Sequence, residues 1–189
     1  MDIRKTKLEG VLVLEPRVFS DERGCFMETW NRRVYEDAGI KERFVQDNFA
    51  FSRKGVLRGL HFQHPHGQGK LVQVPAGEVF DVAVDIRVGS QTFGQWVGEV
   101  LSEQNHRQMY VPAGFAHGYC VLSETALFSY KCTDFYDASA EGGIVWNDPD
   151  IGIDWPVKKP ILSVKDAKCP KLKDLPAEKL PRFEVADGR

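Results

Sequence analysis

The chain has 189 residues, 42% hydrophobic and 28% charged, which is enough for one domain with a sizeable core and ordinary for a globular protein. Its 25 Lys and Arg against 27 Asp and Glu leave a net charge of −2. That excludes bulk attraction to nucleic acid or a membrane surface, so an anionic ligand has to be held by a local cluster of cations.

The N-terminus, Met1-Asp2-Ile3-Arg4-Lys5-Thr6-Lys7, is charged and lacks the apolar run of a secretory signal. No stretch approaches the roughly 20 apolar residues of a membrane span. From there the dominant pattern is alternation of apolar and polar residues, which predicts strands. In chain order they cover residues 10–15, 25–30, 43–51, 56–63, 70–74, 78–88, 93–101, 108–111, 118–122 and 126–136. A short helix is predicted over residues 32–38, with Asn31 as its cap and Gly39 as its stop. The clearest strand is 78–88, where Phe80, Val82, Val84 and Ile86 share one face and Asp81, Ala83 and Asp85 the other.

Turn clusters of Gly, Pro, Asp and Ser separate these strands, as in sandwiches and barrels. Val74-Pro75-Ala76-Gly77 recurs as Val111-Pro112-Ala113-Gly114. Both read as tight turns between strands and suit a jelly roll of two similar halves, although so common a turn also recurs by chance. After Trp155 the chain is rich in lysine and proline, as a loose tail or as an irregular segment draped over the barrel. Cys25, Cys120, Cys132 and Cys169 form no C-x-x-C pair. Reduced thiols in a cytoplasmic protein are expected.

Three strands carry polar groups where an apolar wall is expected. Taken singly, His61 reads as a hydrogen-bonded core histidine, Lys70 as a strand-end lysine reaching solvent, and Tyr130 as a packing tyrosine. Together they form a usable set for removing a proton beside a carbonyl. Such a carbanion forms only if its charge moves onto the carbonyl oxygen, which demands a base, a cation at the oxygen and an acid on the opposite face. General acid–base help contributes roughly 10²–10⁴-fold, and one good oxyanion donor about 3–4 kcal/mol. Neither suffices alone, so both are expected in one pocket. Arg23 and Arg58 suit a diphosphate. Phe26, Trp30, Tyr136 and Trp146 are candidates for stacking on a base, and Glu28, Gln46, Asp47 and Asn48 for hydrogen bonds to a base or sugar.

Ordered strings along nearly the whole chain carry a more specific signal. They are FSDERG (19–24), FVQDN (44–48), VLRGLHFQ (56–63), QGKLV (68–72), EVFDVAVD (78–85), PAGFAHG (112–118), WNDP (146–149), IGIDWP (151–156) and LSVKD (162–166). The chain resembles the deoxythymidine-diphosphate-4-dehydrorhamnose 3,5-epimerases, cupin-fold enzymes of the rhamnose pathway. The resemblance implies an all-β, cupin-type double-stranded β-helix (jelly roll) with a few short helices. It implies one domain over 1–189, with 156–189 packing back on the barrel. It also implies epimerisation of a dTDP-4-keto-6-deoxy sugar at C3 and C5 without a cofactor, the substrate's own ketone being the electron sink.

By the same resemblance His61 is the general base, Asp166 the carboxylate that orients it, Tyr130 the acid on the other side and Lys70 the enolate stabiliser. Arg58, Asn48, His117 and Asp81 line the sugar and phosphates. Arg23, Phe26, Glu28 and Gln46 belong to the nucleotide end, Tyr136 stacks on the base, and Asp47, Glu141 and Lys165 complete the substrate contacts. A homodimer with an exchanged N-terminal strand is implied.

Two features depart from the pattern. His64 and His66 form an H-x-H that binds metal in many other cupins, and Pro112-x-Gly114-x-x-His117 resembles their second metal motif. The asparagine and glutamate of those motifs are missing, so an exposed loop and a metal-free site are expected. Strict alternation also puts Arg58 and His61 on opposite faces, unless a bulge at Gly59 intervenes or Arg58 reaches in from the rim. The competing readings are a mono-epimerase or ketoisomerase on this scaffold, a metal-dependent cupin using His64, His66 and His117, and a binding module without turnover.

Overall fold

The computed structural model describes residues 1–183. Its strands are β1 (Asp2–Lys5), β2 (Leu12–Glu15), β3 (Val18–Asp21), β4 (Gly24–Met27), β5 (Gln46–Arg53), β6 (Leu57–Gln63), β7 (Lys70–Ala76), β8 (Glu78–Asp85), β9 (Trp96–Ser102), β10 (Gln108–Val111), β11 (Phe115–Val121), β12 (Thr125–Cys132) and β13 (Glu141–Gly143). One helix, α1 (Arg32–Asp37), lies between β4 and β5, capped as expected by the Asn31 side chain on the Arg33 amide. A six-stranded sheet runs β1-β2-β10-β7-β12-β5 and a five-stranded sheet β13-β6-β11-β8-β9, with β3 and β4 as a separate hairpin. Paired neighbours within both sheets are antiparallel. This is the expected jelly roll.

The two sheets close on a core of Val72, Val74, Val79, Leu101, Met109, Val121 and Phe128. A second cluster lies outside the five-stranded sheet. There Leu57, Leu60, Phe62, Val82, Val84 and Ile86 pack against Ile151, Trp155, Leu172 and Leu180 of the C-terminal stretch. The apolar face of β8 therefore turns outward under that stretch, and the face carrying Asp81 lines the interior. The last part of the predicted C-terminal segment, 184–189, lies outside the described residues. A third cluster, with Leu14, Tyr35, Ile40, Leu71 and Tyr110, seats α1 on the six-stranded sheet.

The repeated turns are used alike. Gly77 (φ +82°) joins β7 to β8 and Gly114 (φ +94°) joins β10 to β11. A Cβ on Gly77 would lie 2.1 Å from the Thr125 carbonyl, so glycine is required there by space as well as by φ. Pro75 lies inside β7 at a register shift, where a missing amide breaks no ladder bond. Strands β1, β3 and β13 were not predicted. All of β1 is exposed and most of β13 is glycine, so neither shows an apolar–polar alternation.

Candidate active site

Strand β6 meets β11 with His61 opposite His117 and Arg58 opposite Tyr119. Between these pairs β6 carries one residue more than β11, which is a bulge. It falls at Gly59, whose φ of +123° and whose approach to Gly118 leave no room for a side chain: a Cβ would sit 2.5 Å from the Gly118 Cα. Leu57, Leu60 and Phe62 keep their places in the outer cluster, while Arg58 and His61 both turn inward. Of the two readings of Arg58, the bulge is the one the fold adopts.

The inward side chains line a cavity of about 460 Å³ between the sheets. His61 and His117 come from the five-stranded sheet, Lys70 and Tyr130 from the facing six-stranded sheet. Glu141, Lys165 and Asp166 close it from β13 and the C-terminal stretch. His61 Nε2 lies 2.7 Å from Asp166 Oδ1, and Asp166 is buried. The Ser163 hydroxyl accepts the Asp166 amide at 3.0 Å and so fixes the carboxylate's turn. With Nε2–H donating to the carboxylate, the free lone pair of His61 is on Nδ1.

Lys70 opens β7 beside β12, whose Tyr130 lies further along the same wall. Burial lowers the Lys70 pKa, against the opposing pull of Cys132, Asp81 and Glu141. Burial likewise pushes the Tyr130 phenol up to about 12, so it holds its proton at neutral pH. Asp81 does not itself line the cavity. It is fully buried behind His117, with Oδ1 2.9 Å from His117 Nε2. Burial pushes the Asp81 carboxyl up, and His117 and then Lys70 pull it back.

The rim is a hydrogen-bonded chain. The Tyr136 hydroxyl donates to Glu141 Oε2 at 2.8 Å, and Glu141 pairs with Lys165. The Tyr136 amide donates to Gln46 Oε1 at 3.0 Å, and Gln46 Nε2 to Asn48 Oδ1 at 3.2 Å. Asn48 in turn reaches the Cys132 sulfur. Asp47 points outward in an exposed pair with Lys131. Arg23 and Phe26 sit on the β3–β4 hairpin, and Glu28 just after it accepts from Asn31. Within one chain none of these three lines the cavity.

Ser52, Tyr119, Phe128 and Ser163 were missed as site residues. The signal for Tyr119 was available, since alternation along 115–121 puts it on the face of His117. His66 is exposed, and His117 is already held by Asp81. Among the described residues no group of three or more His, Cys, Asp or Glu is placed to hold a metal. The four cysteines are free, and no described helix is long and apolar enough to cross a membrane.

Fold and cavity together define a cupin-type protein with a cavity between its sheets lined by histidine, lysine, tyrosine and carboxylate side chains. The chain belongs to the dTDP-4-dehydrorhamnose 3,5-epimerase family, whose sequence profile matches residues 5–174. It is 56% identical over 176 residues to the dTDP-4-dehydrorhamnose 3,5-epimerase of Shigella flexneri, covering 92% of this chain and 97% of that one. The enzyme of the same name from Salmonella typhimurium is 57% identical over 175 residues, covering 91% and 96%. Among solved structures, the dTDP-6-deoxy-D-glucose-3,5-epimerase of Legionella pneumophila Philadelphia 1, in complex with dTDP-4-keto-L-rhamnose, matches with a TM-score of 0.95. It is 53% identical, covering 97% of this chain and 99% of that one.

Proposed function

We propose that this chain is an isomerase that converts dTDP-4-dehydro-6-deoxy-D-glucose to dTDP-4-dehydro-L-rhamnose by inverting C3 and C5. The observation that carries the reading is the arrangement of the cavity: the His61–Asp166 pair on one wall faces Lys70 and Tyr130 on the other. Family membership and the sugar nucleotide in the Legionella structure support the substrate class.

Each inversion breaks one C–H bond and makes one. His61 Nδ1 takes the proton from the carbon beside the ketone, and Asp166 stabilises the imidazolium that results. The electron pair moves onto the ketone oxygen as an enolate, which the Lys70 ammonium stabilises. Tyr130 delivers a proton to the opposite face, and exchange with solvent restores both residues. A base and an acid on facing sheets give inversion, whereas a single group would return the proton to the side it came from.

Arg58 and His117 hold the sugar and phosphates, Asp81 fixes His117 from behind, and Glu141, Lys165 and Asn48 stand around them. Tyr136 stacks on the base, while Arg23, Phe26, Glu28 and Gln46 serve the nucleotide end. Arg23, Phe26 and Glu28 require a homodimer to meet a cavity. Phe26 is 71% exposed on a hairpin that joins neither sheet, and Phe49, 75% exposed, shows an apolar outer face on β5. β1 is fully exposed at the edge of its sheet and free to be exchanged, and the β3–β4 hairpin, which belongs to neither sheet, brings Arg23 and Phe26 to the neighbour's cavity. We infer a single domain over 1–189, working in the cytoplasm.

Proton NMR of the substrate in deuterated water tests the reaction. Solvent deuterium is expected at both C3 and C5, and incorporation at one carbon alone would reduce the activity to a mono-epimerase.

A further inference from the structure

Arg58 is the cavity cation whose surroundings the proposed reaction leaves unexplained. Among the described residues its side chain makes one hydrogen bond, from Nε to the Ser52 hydroxyl at 3.1 Å. Ser52 stands on β5 in the opposite sheet and is 4% exposed, so this bond crosses from one layer to the other. It leaves the two terminal nitrogens of the guanidinium as a free fork, the geometry suited to phosphate oxygens.

Tyr119 is Arg58's partner in the β6–β11 register. Its ring, 4% exposed, is stacked on Phe128 with centroids 3.9 Å apart and 14° between planes. A phenylalanine would fill that space equally well, yet the position carries a hydroxyl with no hydrogen-bond partner among the described residues. A buried hydroxyl without a partner is costly, and the stacked ring cannot swing to find one. Burial pushes this phenol up, while Ser52 and Arg58 pull it back, consistent with its place opposite Arg58 in the register.

Resting on the function proposed above, we propose that Ser52 and Tyr119 are positioning residues that fix the Arg58 fork toward the diphosphate of a nucleotide ligand. Ser52 holds Nε from the facing sheet. Tyr119 bounds the guanidinium from its own sheet and offers its free hydroxyl to the assembly that the anion completes.

The test is calorimetric titration with dTDP, together with steady-state kinetics on the sugar nucleotide. It uses Tyr119→Phe, Ser52→Ala and Ser52→Thr, each alone and in an Arg58→Ala background. Tyr119→Phe and Ser52→Ala should each weaken dTDP binding about three- to tenfold. KM should rise in step, much more than kcat falls, and Ser52→Thr should recover the lost affinity. In the Arg58→Ala background the same substitutions should add nothing. Unchanged dTDP affinity in both single variants, or the full loss persisting without Arg58, would overturn the proposal. A wild-type protein that fails to bind dTDP would overturn the functional reading beneath it, which separates the two failures. Ser52→Ala and Ser52→Thr keep the test decisive if Tyr119→Phe does not fold.

Discussion

In the proposed reaction two residues carry most of the chemistry, and each has its own test. If His61 is the base, His61→Ala should slow solvent-proton exchange into the substrate about 10²–10⁴-fold. Affinity for dTDP, measured by calorimetry, should be retained, because the imidazole faces the sugar rather than the nucleotide. Exchange at the wild-type rate would refute the assignment. Lys70 acts only while charged. Its lowered pKa means the ammonium is lost at lower pH than for an exposed lysine, so kcat/KM should fall on the alkaline side as pH rises through that value. Tyr130, pushed up to about 12, deprotonates later and does not set that limb. An arginine does not titrate in this range. Lys70→Arg should therefore keep measurable activity and lose the alkaline fall; a limb at unchanged pH would assign it to another group.

At the scale of the element, the site depends on the bulge in β6. One extra residue reverses the alternation, so that Arg58 and His61 share the interior while their apolar neighbours stay outside. Gly59→Ala should cost about 3 kcal/mol or more in urea denaturation, because a positive φ and a close contact with Gly118 act together. Gly39→Ala is the control. That residue also has a positive φ (+94°) but open space around it, and should cost about 1 kcal/mol. Equal costs would mean that the Gly118 contact contributes nothing. Here the sequence was only half legible. The glycine and the conflict between Arg58 and His61 were visible, but the choice between a bulge and a rim position depends on the neighbouring strand. Strand β13 was invisible because its glycines make room for neighbours: a Cβ on Gly142 would lie 2.4 Å from the Phe62 ring, and one on Gly143 2.6 Å from the Cys169 sulfur.

For the whole molecule, the proposed nucleotide site puts Arg23 and Phe26 at a cavity that their own chain does not offer them. If the hairpin serves the neighbouring subunit, His61→Ala and Arg23→Ala chains should complement each other. Alone, each gives dimers with two defective sites. Mixed, one site of the heterodimer combines the intact His61 of one chain with the intact Arg23 of the other. Refolding the two variants together should restore substantial activity, with a dimer in analytical ultracentrifugation. Activity no higher than that of the better single variant would rule out shared sites.

Local sequence determined ten of the thirteen described strands, their turns and the capped helix, because alternation, glycine turns and side-chain caps are set by neighbours a few residues apart. It also determined the family, because strings such as LRGLHFQ and LSVKD keep the order of that family's site. Only the tertiary structure decided which face of each strand is the inside. The apolar face of β8 reads as a core face, yet it packs beneath the C-terminal stretch and leaves Asp81 facing inward. The same stretch brings Asp166 to His61 across 105 positions of chain. No local pattern encodes that meeting, since it follows from two sheets closing on each other and the chain's end folding over one of them.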